Sequence, residues 1–489
     1  MEQSRLAKHI QLLSPRNRDR FRQFVYSPYF NQHEKTAELL DLLLENIDQP
    51  TGTLDKKTAF RKLFPGQPYE EQQVHNLMSY LRKLYLRFTA FEYMEQHRYQ
   101  EQLYTMEAAY NSHQFDILTN RSKQLQKKLR EDLVHDNDYF FTNYRLNHVL
   151  GYYSGTYFDR SETETFQQML DNLDKYYIVE KLRNCCHLTA NSIMMNTAYD
   201  FNFLEELLEH MEHNWPQYEQ ERSIAMYYTI LMSLRDGDNP QHYQRMKQLQ
   251  AEEMNLLSEL EGRDLYSFSY NYCIRMINTG YSEYQLELFQ LYRQGLKQGL
   301  LLEKGKISEW DYKNIATLGA SLREFEWTEL FLNEYRDKLP PHRQENAYNY
   351  NLGNLYYNKK MYNEALSALL LVQFTDVKYH LSTTFLLLRT YYALKDTEAL
   401  LSLIETFRIY VIRNRKMTTE QKRGYTNFLR FDRRLVVLKH HASTYSKKDL
   451  HTELASLAEK IEAAPNVINK YWLLEECRSS AQVAAGSGQ

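Results

Sequence analysis

Residues 347–370 read AYNYNLGNLYYNKKMYNEALSALL, and this stretch carries the clearest structural signal in the 489-residue chain. Its Gly353 follows Gly319 by 34 residues, and its Ala365 precedes Ala399 by the same interval. A period of about 34 residues is typical of a helix–turn–helix unit that stacks on copies of itself. We therefore expect Gly353 to let two helices approach closely, and the two alanines to lie where the second helix of a unit packs.

The composition favours helices over the whole chain. The sequence contains 15 glycines and 10 prolines, about 5% of its residues, where roughly 12% is usual. Hydrophobic residues make up 43% and aromatic residues 14%, which is enough to form a core. Alternation with a period of two residues, which is typical of strands, is rare. Capping boxes, which start helices, are predicted at Ser161–Glu164, Ser282–Gln285 and Thr418–Gln421.

These patterns predict an all-α solenoid of antiparallel helix pairs with a helical N-terminal cap. We divide the chain into a cap module over 1–96, degenerate helical hairpins over 97–311 and the clearest repeats over 312–413. Basic capping helices follow over 414–480, and a disordered tail is expected over 481–489. End caps are expected because the last unit of such a stack would otherwise expose one apolar face.

The unit over 347–370 resembles a tetratricopeptide repeat. The positions that match the family are Leu352, Gly353, Tyr356 and Ala365. Asn349 stands where the family has an early Trp, and Val377 stands where it has a closing Pro. The chain also resembles tetratricopeptide-like proteins of Bacteroidota, through FVYSPYFN at 24–31 and RKLFPGQPYEEQQVHNLMSYLRKL at 61–84. The resemblance implies an α-solenoid and no known activity.

Motifs for catalysis, nucleotides and metals are weak. Gly299 and Gly305 have five residues between them where a P-loop has four, and Ile307 occupies the place of its Ser or Thr. We interpret this segment as a helix C-terminal turn. His210 and His213 lie one helical turn apart, but no second helix rich in metal ligands accompanies them. We predict no catalytic residue, no cofactor and no metal.

Cysteine usage and hydropathy point to the cytoplasm. The four cysteines are Cys185, Cys186, Cys273 and Cys477, and their spacing fits no disulfide framework. We expect reduced and mostly buried thiols. The N-terminus has no signal-peptide core, and no stretch reaches the ~18 consecutive apolar residues that a membrane span requires.

The segment 408–448 is strongly basic, with 12 Lys and Arg residues against Glu420 and Asp432. On a helical wheel over 419–441, five cations lie opposite an apolar stripe. The cations are Lys422, Arg423, Arg430, Arg433 and Arg434. The stripe comprises Tyr425, Phe428, Phe431, Leu435 and Leu438. Three interpretations stay open: a face that is solvated or docked on the acidic middle of the same chain, a surface for an acidic partner protein, and a surface for RNA or DNA phosphates.

Tyrosines and asparagines alternate along the first helix of the clearest repeat. We select Asn346, Asn349 and Tyr350 as candidates for binding a peptide, because Asn amides bind a peptide backbone and Tyr suits interfaces. Ordinary packing between helices is the alternative for the tyrosines. Tyr356, at a packing position of the family, is expected to stabilise the fold.

The sequence therefore predicts a non-enzymatic cytoplasmic scaffold or adaptor that binds protein partners through a helical-repeat surface. The alternative is a regulator that contacts nucleic acid through the basic C-terminal helix and the N-terminal module. A second basic run lies in that module, at Arg16, Arg18, Arg20 and Arg22.

Overall fold

The predicted fold class, an all-α solenoid of helix pairs, is confirmed by the structure, a computed structural model. It describes residues 4–48, 54–156, 163–195, 197–237, 239–373 and 377–486. Within these ranges the only β structure is a two-stranded antiparallel hairpin, β1 over Leu302–Glu303 and β2 over Lys306–Ile307. The chain divides into two compact units, which are Met1–Leu188 with Ala198–Tyr227 and Thr189–Thr197 with Tyr228–Gln489.

The helices of the N-terminal half alternate with short connections. They are α1 Arg5–Gln11, α2 Pro15–Tyr26, α3 Glu34–Asp48, α4 Lys56–Leu63, α5 Glu71–Gln96, α6 Gln100–Asn111, α7 Phe115–Glu131, α8 Asn137–Thr156, α9 Thr163–Met195, α10 Leu204–His213, α11 Trp215–Tyr218 and α12 Arg222–Arg235. Helices α9 and α12 each contribute residues to both units.

The N-terminal module packs around α3 and α5. Helix α3 contacts α1, α2, α4 and α5, and the side chains buried between them are mostly apolar. The fully buried residues there include Ile10, Phe21, Leu39, Leu40 and Leu81. Helix α4 ends where Phe64-Pro65-Gly66 breaks the helical pattern, since Pro65 cannot continue a helix and Gly66 adopts φ +80°.

The remaining helices and the hairpin follow in the second half. They are α13 Pro240–Glu252, α14 Glu259–Asn278, α15 Tyr284–Lys297, α16 Glu309–Ser321, α17 Phe325–Tyr335, α18 Gln344–Asn358, α19 Tyr362–Leu370, α20 Val377–Leu394, α21 Thr397–Arg413, α22 Thr419–His440, α23 Lys447–Ala463 and α24 Lys470–Gly486. Short 3-10 helices lie at Met254–Leu256, Arg336–Lys338 and Ala442–Thr444.

In the second unit, the helices contact one another in the pattern expected of a helical-repeat stack. Every helix from α14 to α24 contacts the next one along the chain. Contacts also skip one helix, from α16 to α18, from α18 to α20 and from α22 to α24. The first helices of successive pairs therefore lie side by side, as stacking of helix–turn–helix units requires.

The predicted close approach at Gly353 is confirmed. A Cβ atom on Gly353 would lie 2.7 Å from the Cγ and Cδ2 atoms of Leu369 on α19. A Cβ atom on Gly319 would lie 2.3 Å from the Oγ1 atom of Thr328 on α17. Both distances are shorter than a Cβ atom tolerates. These two repeats therefore need glycine at this position. Ala365, on the facing helix, is fully buried.

Local signals at the helix ends gave mixed results. The capping box Thr418–Gln421 forms as predicted. Ser282–Gln285 does not form one, because α15 begins only at Tyr284 and the Gln285 N–H donates to the carbonyl of Ser282. The predicted Ser161–Glu164 box includes residues outside the described part of the chain.

Two further expectations are corrected. The segment from Gly299 to Ile307 is more than a helix C-terminal turn: Gly299 ends α15 with φ +73°, and Lys304 and Gly305, both at positive φ, then form the turn of the β1–β2 hairpin. The predicted disordered tail is helical from Ala481 to Gly486, since α24 continues through alanines that favour helix. Residues 487–489 lie outside the described chain.

Candidate functional site

Asn346 is a structural residue and not part of an open surface. Its side chain is 7% exposed. Its Nδ2 donates to the carbonyl of Gln373 at 2.9 Å, and its Oδ1 accepts the N–H of Gln373 at 2.9 Å. This pair of bonds ties α18 to the chain that leaves α19. The expectation that Asn346 faces a peptide is therefore corrected, because a backbone partner 27 residues away takes both polar groups of the amide.

Tyr350 is also internal, whereas Asn349 is half-buried. The Tyr350 ring is 8% exposed and packs edge-to-face on Tyr379, with ring centroids 5.8 Å apart. The ammonium of Lys313 lies 4.8 Å from its centroid, and burial raises the pKa of Tyr350. Asn349 makes no side-chain hydrogen bond to any described residue. It remains the one candidate of the three that a partner can reach without unpacking α18.

Asn346→Ala and Asn349→Ala form a matched test of these positions. Asn346→Ala should lower the free energy of unfolding by about 1–2 kcal/mol, because it leaves the N–H and carbonyl of Gln373 without their partner. Asn349→Ala should change it by less than ~0.5 kcal/mol. Urea denaturation followed by circular dichroism measures both. Equal effects of the two changes would contradict the roles assigned here.

The basic segment forms the end of α21 and the whole of α22. The predicted apolar stripe is largely confirmed: Phe428, Phe431, Leu435 and Leu438 are buried, and Tyr425 is half-buried. Of the predicted cations, Arg423, Arg430, Arg433 and Arg434 are exposed and Lys422 is half-buried. The Nζ of Lys422 donates to the carbonyl of Ile412 at 3.0 Å, so it caps the C-terminal end of α21.

The structure brings three of these arginines to one groove. Helices α21, α22 and α23 and the two residues after α23 enclose a cavity of about 1110 Å³, and we call it the basic groove. Its lining residues are Ile404, Glu405, Arg408, Thr426, Leu429, Arg430, Phe431, Arg433, Arg434, Val437, Glu453, Leu457, Lys460, Ala463, Ala464 and Pro465. Half of them are apolar. Lys422 and Arg423 do not line it.

Positive charge in the basic groove exceeds negative charge. Five cations line it together with only two carboxylates, and both carboxylates are already paired. The Arg408 guanidinium lies 2.7 Å from Glu405, and Arg434 lies 2.9 Å from Glu453. The hydrogen bond from Arg408, with the charge of Arg433, holds the pKa of Glu405 below its ordinary value.

Three cations of the basic groove form no close ion pair with a described carboxylate, although the charge of Arg433 also acts on Glu405. They are Arg430, Arg433 and Lys460. The guanidinium of Arg430 lies 4.6 Å from the centroid of Phe431, on the apolar lining. Because Arg430 is exposed, its charge is accessible to an incoming anion at the edge of the apolar lining.

Sequence reasoning missed the role of Asp432. We counted Asp432 as a negative charge that offsets part of the positive charge of the basic segment. Its side chain is instead fully buried, on the side of α22 away from the basic groove. Neither carboxylate oxygen has a hydrogen-bond partner, and burial with the nearby Glu476 raises the pKa of Asp432 to about 7. The sequence contained a signal for this burial, because Asp432 lies between Phe428 and Leu435 on the apolar stripe.

The other residues that were considered for catalysis, metal binding or nucleotide binding take part in ordinary packing and hydrogen bonds. His210 Nε2 lies 3.0 Å from the hydroxyl of Tyr218. No group of three or more His, Cys, Asp or Glu side chains in the described chain is placed to hold a metal ion. The thiols of all four cysteines are buried, as predicted. Lys306, at the end of the P-loop-like stretch, donates to the carbonyl of Asp337 at 2.9 Å.

Comparisons with known proteins add nothing to the description of this site. No protein-family model matches it, no curated protein is significantly similar to it, and no solved structure matches it. Among the described helices, none is both long and apolar enough to cross a membrane. The function is therefore inferred from the residues themselves.

Proposed function

We propose that this protein is a non-enzymatic, tetratricopeptide-like adaptor of the cytoplasm, and that it binds an acidic protein segment in the basic groove. The observation that carries the proposal is the combination of an apolar lining with three cations, Arg430, Arg433 and Lys460, that form no close ion pair with a described carboxylate. An apolar groove supplies affinity, and uncompensated charge on it selects partners of opposite sign.

The repeat resemblance supports the same proposal. Gly319 and Gly353 occupy equivalent close-packed positions 34 residues apart, as in proteins built of tetratricopeptide units. Such stacks present extended surfaces that bind other proteins. Asn349 remains a second candidate contact on the first-helix face of this stack.

A nucleic-acid regulator is the alternative, and the N-terminal module gives it little support. Three arginines of the basic run there are already neutralised within that module. Arg18 lies 2.7 Å from Asp48, and Arg22 lies 2.7 Å from Asp41. Arg20 pairs with Glu92 at 2.9 Å and also with Glu95. A phosphate backbone would have to displace these carboxylates, which removes most of the electrostatic gain.

Charge reversal in the basic groove separates the two functions. We expect the wild type to retain neither a generic RNA nor a generic duplex DNA in fluorescence anisotropy, even at 50 mM salt. Binding to phosphates would instead fall steeply with salt, each neutralised phosphate adding ~0.7–0.9 to the log–log slope. The triple variant Arg430→Glu, Arg433→Glu, Arg434→Glu should lose the partner that co-purifies with the wild type from its native host.

The control carries the same charge change outside the basic groove. Arg413→Glu, Arg415→Glu and Arg423→Glu alter three exposed cations of the same segment that do not line it. This variant should keep the partner, and circular dichroism should show both variants folded. Retention of nucleic acid by the wild type at physiological salt, lost in the groove variant alone, would establish the alternative function.

A further inference from the structure

The basic groove is wider than repeat packing requires. A comparable groove of about 560 Å³ lies between α15 and α17, and its ten lining residues come from those two helices alone. There the intervening helix α16 contributes no lining residue. In the basic groove the intervening helix α22 contributes seven lining residues, and the volume is about 1110 Å³. Helices α21 and α23 therefore leave one side of α22 open between them.

The open side of α22 has the length of a short helix. Its lining residues run from Thr426 to Val437, with Leu429, Arg430 and Arg433 between them at helical spacing. Twelve residues of α-helix span roughly 18 Å, or about three turns. A partner helix of about three turns, laid along α22, would fill this length.

The walls of the basic groove favour a helix over an extended peptide. Apart from the two residues after α23, its walls are the helices α21, α22 and α23, so most of the backbone N–H and carbonyl groups there are already bonded within a helix. An extended peptide would find almost no backbone partners there and would bury unpaired polar groups. A helix satisfies its own backbone and offers one apolar face to a groove.

The cations of the basic groove indicate which side chains a bound partner helix would carry beside its apolar face. The apolar lining residues that keep exposed surface are Val437 on α22 and Ala463, Ala464 and Pro465 at the end of α23. Arg430 and Arg433 lie beside them on α22, and Lys460 lies on α23. We infer that the basic groove binds an amphipathic helix of about three turns from a partner protein, with leucine-like residues on one face and glutamates or aspartates beside it. This inference rests on the proposed function and names the form of the partner.

Synthetic peptides test the inference on the full chain. The probe is a fluorescein-labelled 14-residue peptide with leucines at i, i+3, i+4, i+7 and i+11 and glutamates on the remaining face. One comparison peptide has the same composition in scrambled order, a second has a central proline, and a third has lysine for each glutamate. At 150 mM salt, anisotropy should show at least tenfold tighter binding of the probe than of any comparison peptide.

Variants then locate the binding. Arg430→Glu with Arg433→Glu should weaken probe binding at least tenfold, and Lys460→Glu on the facing helix should weaken it independently. Arg415→Glu with Arg423→Glu, the matched control outside the basic groove, should leave it unchanged. Circular dichroism verifies that every variant is folded, and the probe should gain helicity on binding.

Each other outcome overturns the inference. Equal binding of the proline peptide would assign an extended occupant, and equal binding of the scrambled peptide would reduce the site to charge alone. Absence of probe binding would reject the helical partner, while loss of the native partner in the triple groove variant still tests the proposed function separately. Self-association that Arg430→Glu abolishes, measured by sedimentation, would make a second copy of this chain the occupant.

Discussion

Replacing Asp432 with asparagine should make the stability of the protein less dependent on pH, so that the variant gains roughly 2–3 kcal/mol relative to the wild type from pH 5 to pH 8. Burial and the nearby Glu476 raise the pKa of Asp432 to about 7 in the folded state, whereas the unfolded chain restores its ordinary value of about 3.9. Between these values the folded state holds a proton that the unfolded state has released. Stability must therefore fall as pH rises through this window, and the loss is complete above pH 7.

The expected effect is large for one side chain. The slope is at most about 1.4 kcal/mol per pH unit, so Asp432 should cost the wild type roughly 2–3 kcal/mol between pH 5 and pH 8. Asparagine has nearly the same shape and cannot ionise, so the variant lacks this loss. Two groups interact electrostatically with Asp432, namely Glu476 and Tyr392, and both are present in the variant as well.

Urea denaturation of both proteins at pH 5, 6, 7 and 8 measures the difference. Subtracting one profile from the other removes the contributions that the two proteins share. Glu462→Gln on α23 is the control, since it removes an exposed carboxylate and should reproduce the wild-type profile. Parallel profiles for the wild type and Asp432→Asn would show that Asp432 is ionised throughout.

Gly353→Leu should lower the free energy of unfolding by about 1–3 kcal/mol through overpacking. Alanine is the sharper substitution. At an unpacked helix position Gly→Ala stabilises by roughly 1 kcal/mol, but here the new Cβ would lie 2.7 Å from two carbon atoms of Leu369. We therefore expect Gly353→Ala to destabilise the protein in spite of its better helix propensity.

A double-mutant cycle with Leu369→Ala identifies the cause. Removing the Leu369 side chain removes the clash, so Gly353→Ala should be harmless or stabilising in that background, with a coupling energy of about 1 kcal/mol or more. Additive effects of the two substitutions would mean that the close approach of α18 and α19 is not what requires glycine at this position.

Features that depend on neighbouring residues were predictable. The capping box of α22 forms from Thr418 and Gln421, because all its bonds lie within one turn. The 34-residue period located Gly353 at a close approach before any packing was known, since only a repeated unit requires the same small residue at the same place. Ser282 shows the limit of such signals, because the turn after α14 shifted the start of α15.

Features that depend on several neighbouring helices were not predictable in the same way. A helical wheel divides a helix into a solvent-exposed side and a buried side, but α22 contacts α21, α23 and α24 at once. Asp432 is therefore buried although it lies on a basic helix. Asn346 and Tyr350 are internal for the same reason, since residues of the chain after α19 and of α20 cover them.

The local sequence thus specified the all-α class, the repeat period, the glycine contacts and the apolar stripe of α22, because these follow from backbone preferences and from spacing within one or two helices. Long-range packing specified the basic groove and its free charge. Arg434 forms an ion pair with Glu453, 19 residues away, while Arg430 and Arg433, on the same helix, form no close ion pair with a described carboxylate. Pairing of charges depends on which helices lie side by side, and only the folded chain brings those residues together.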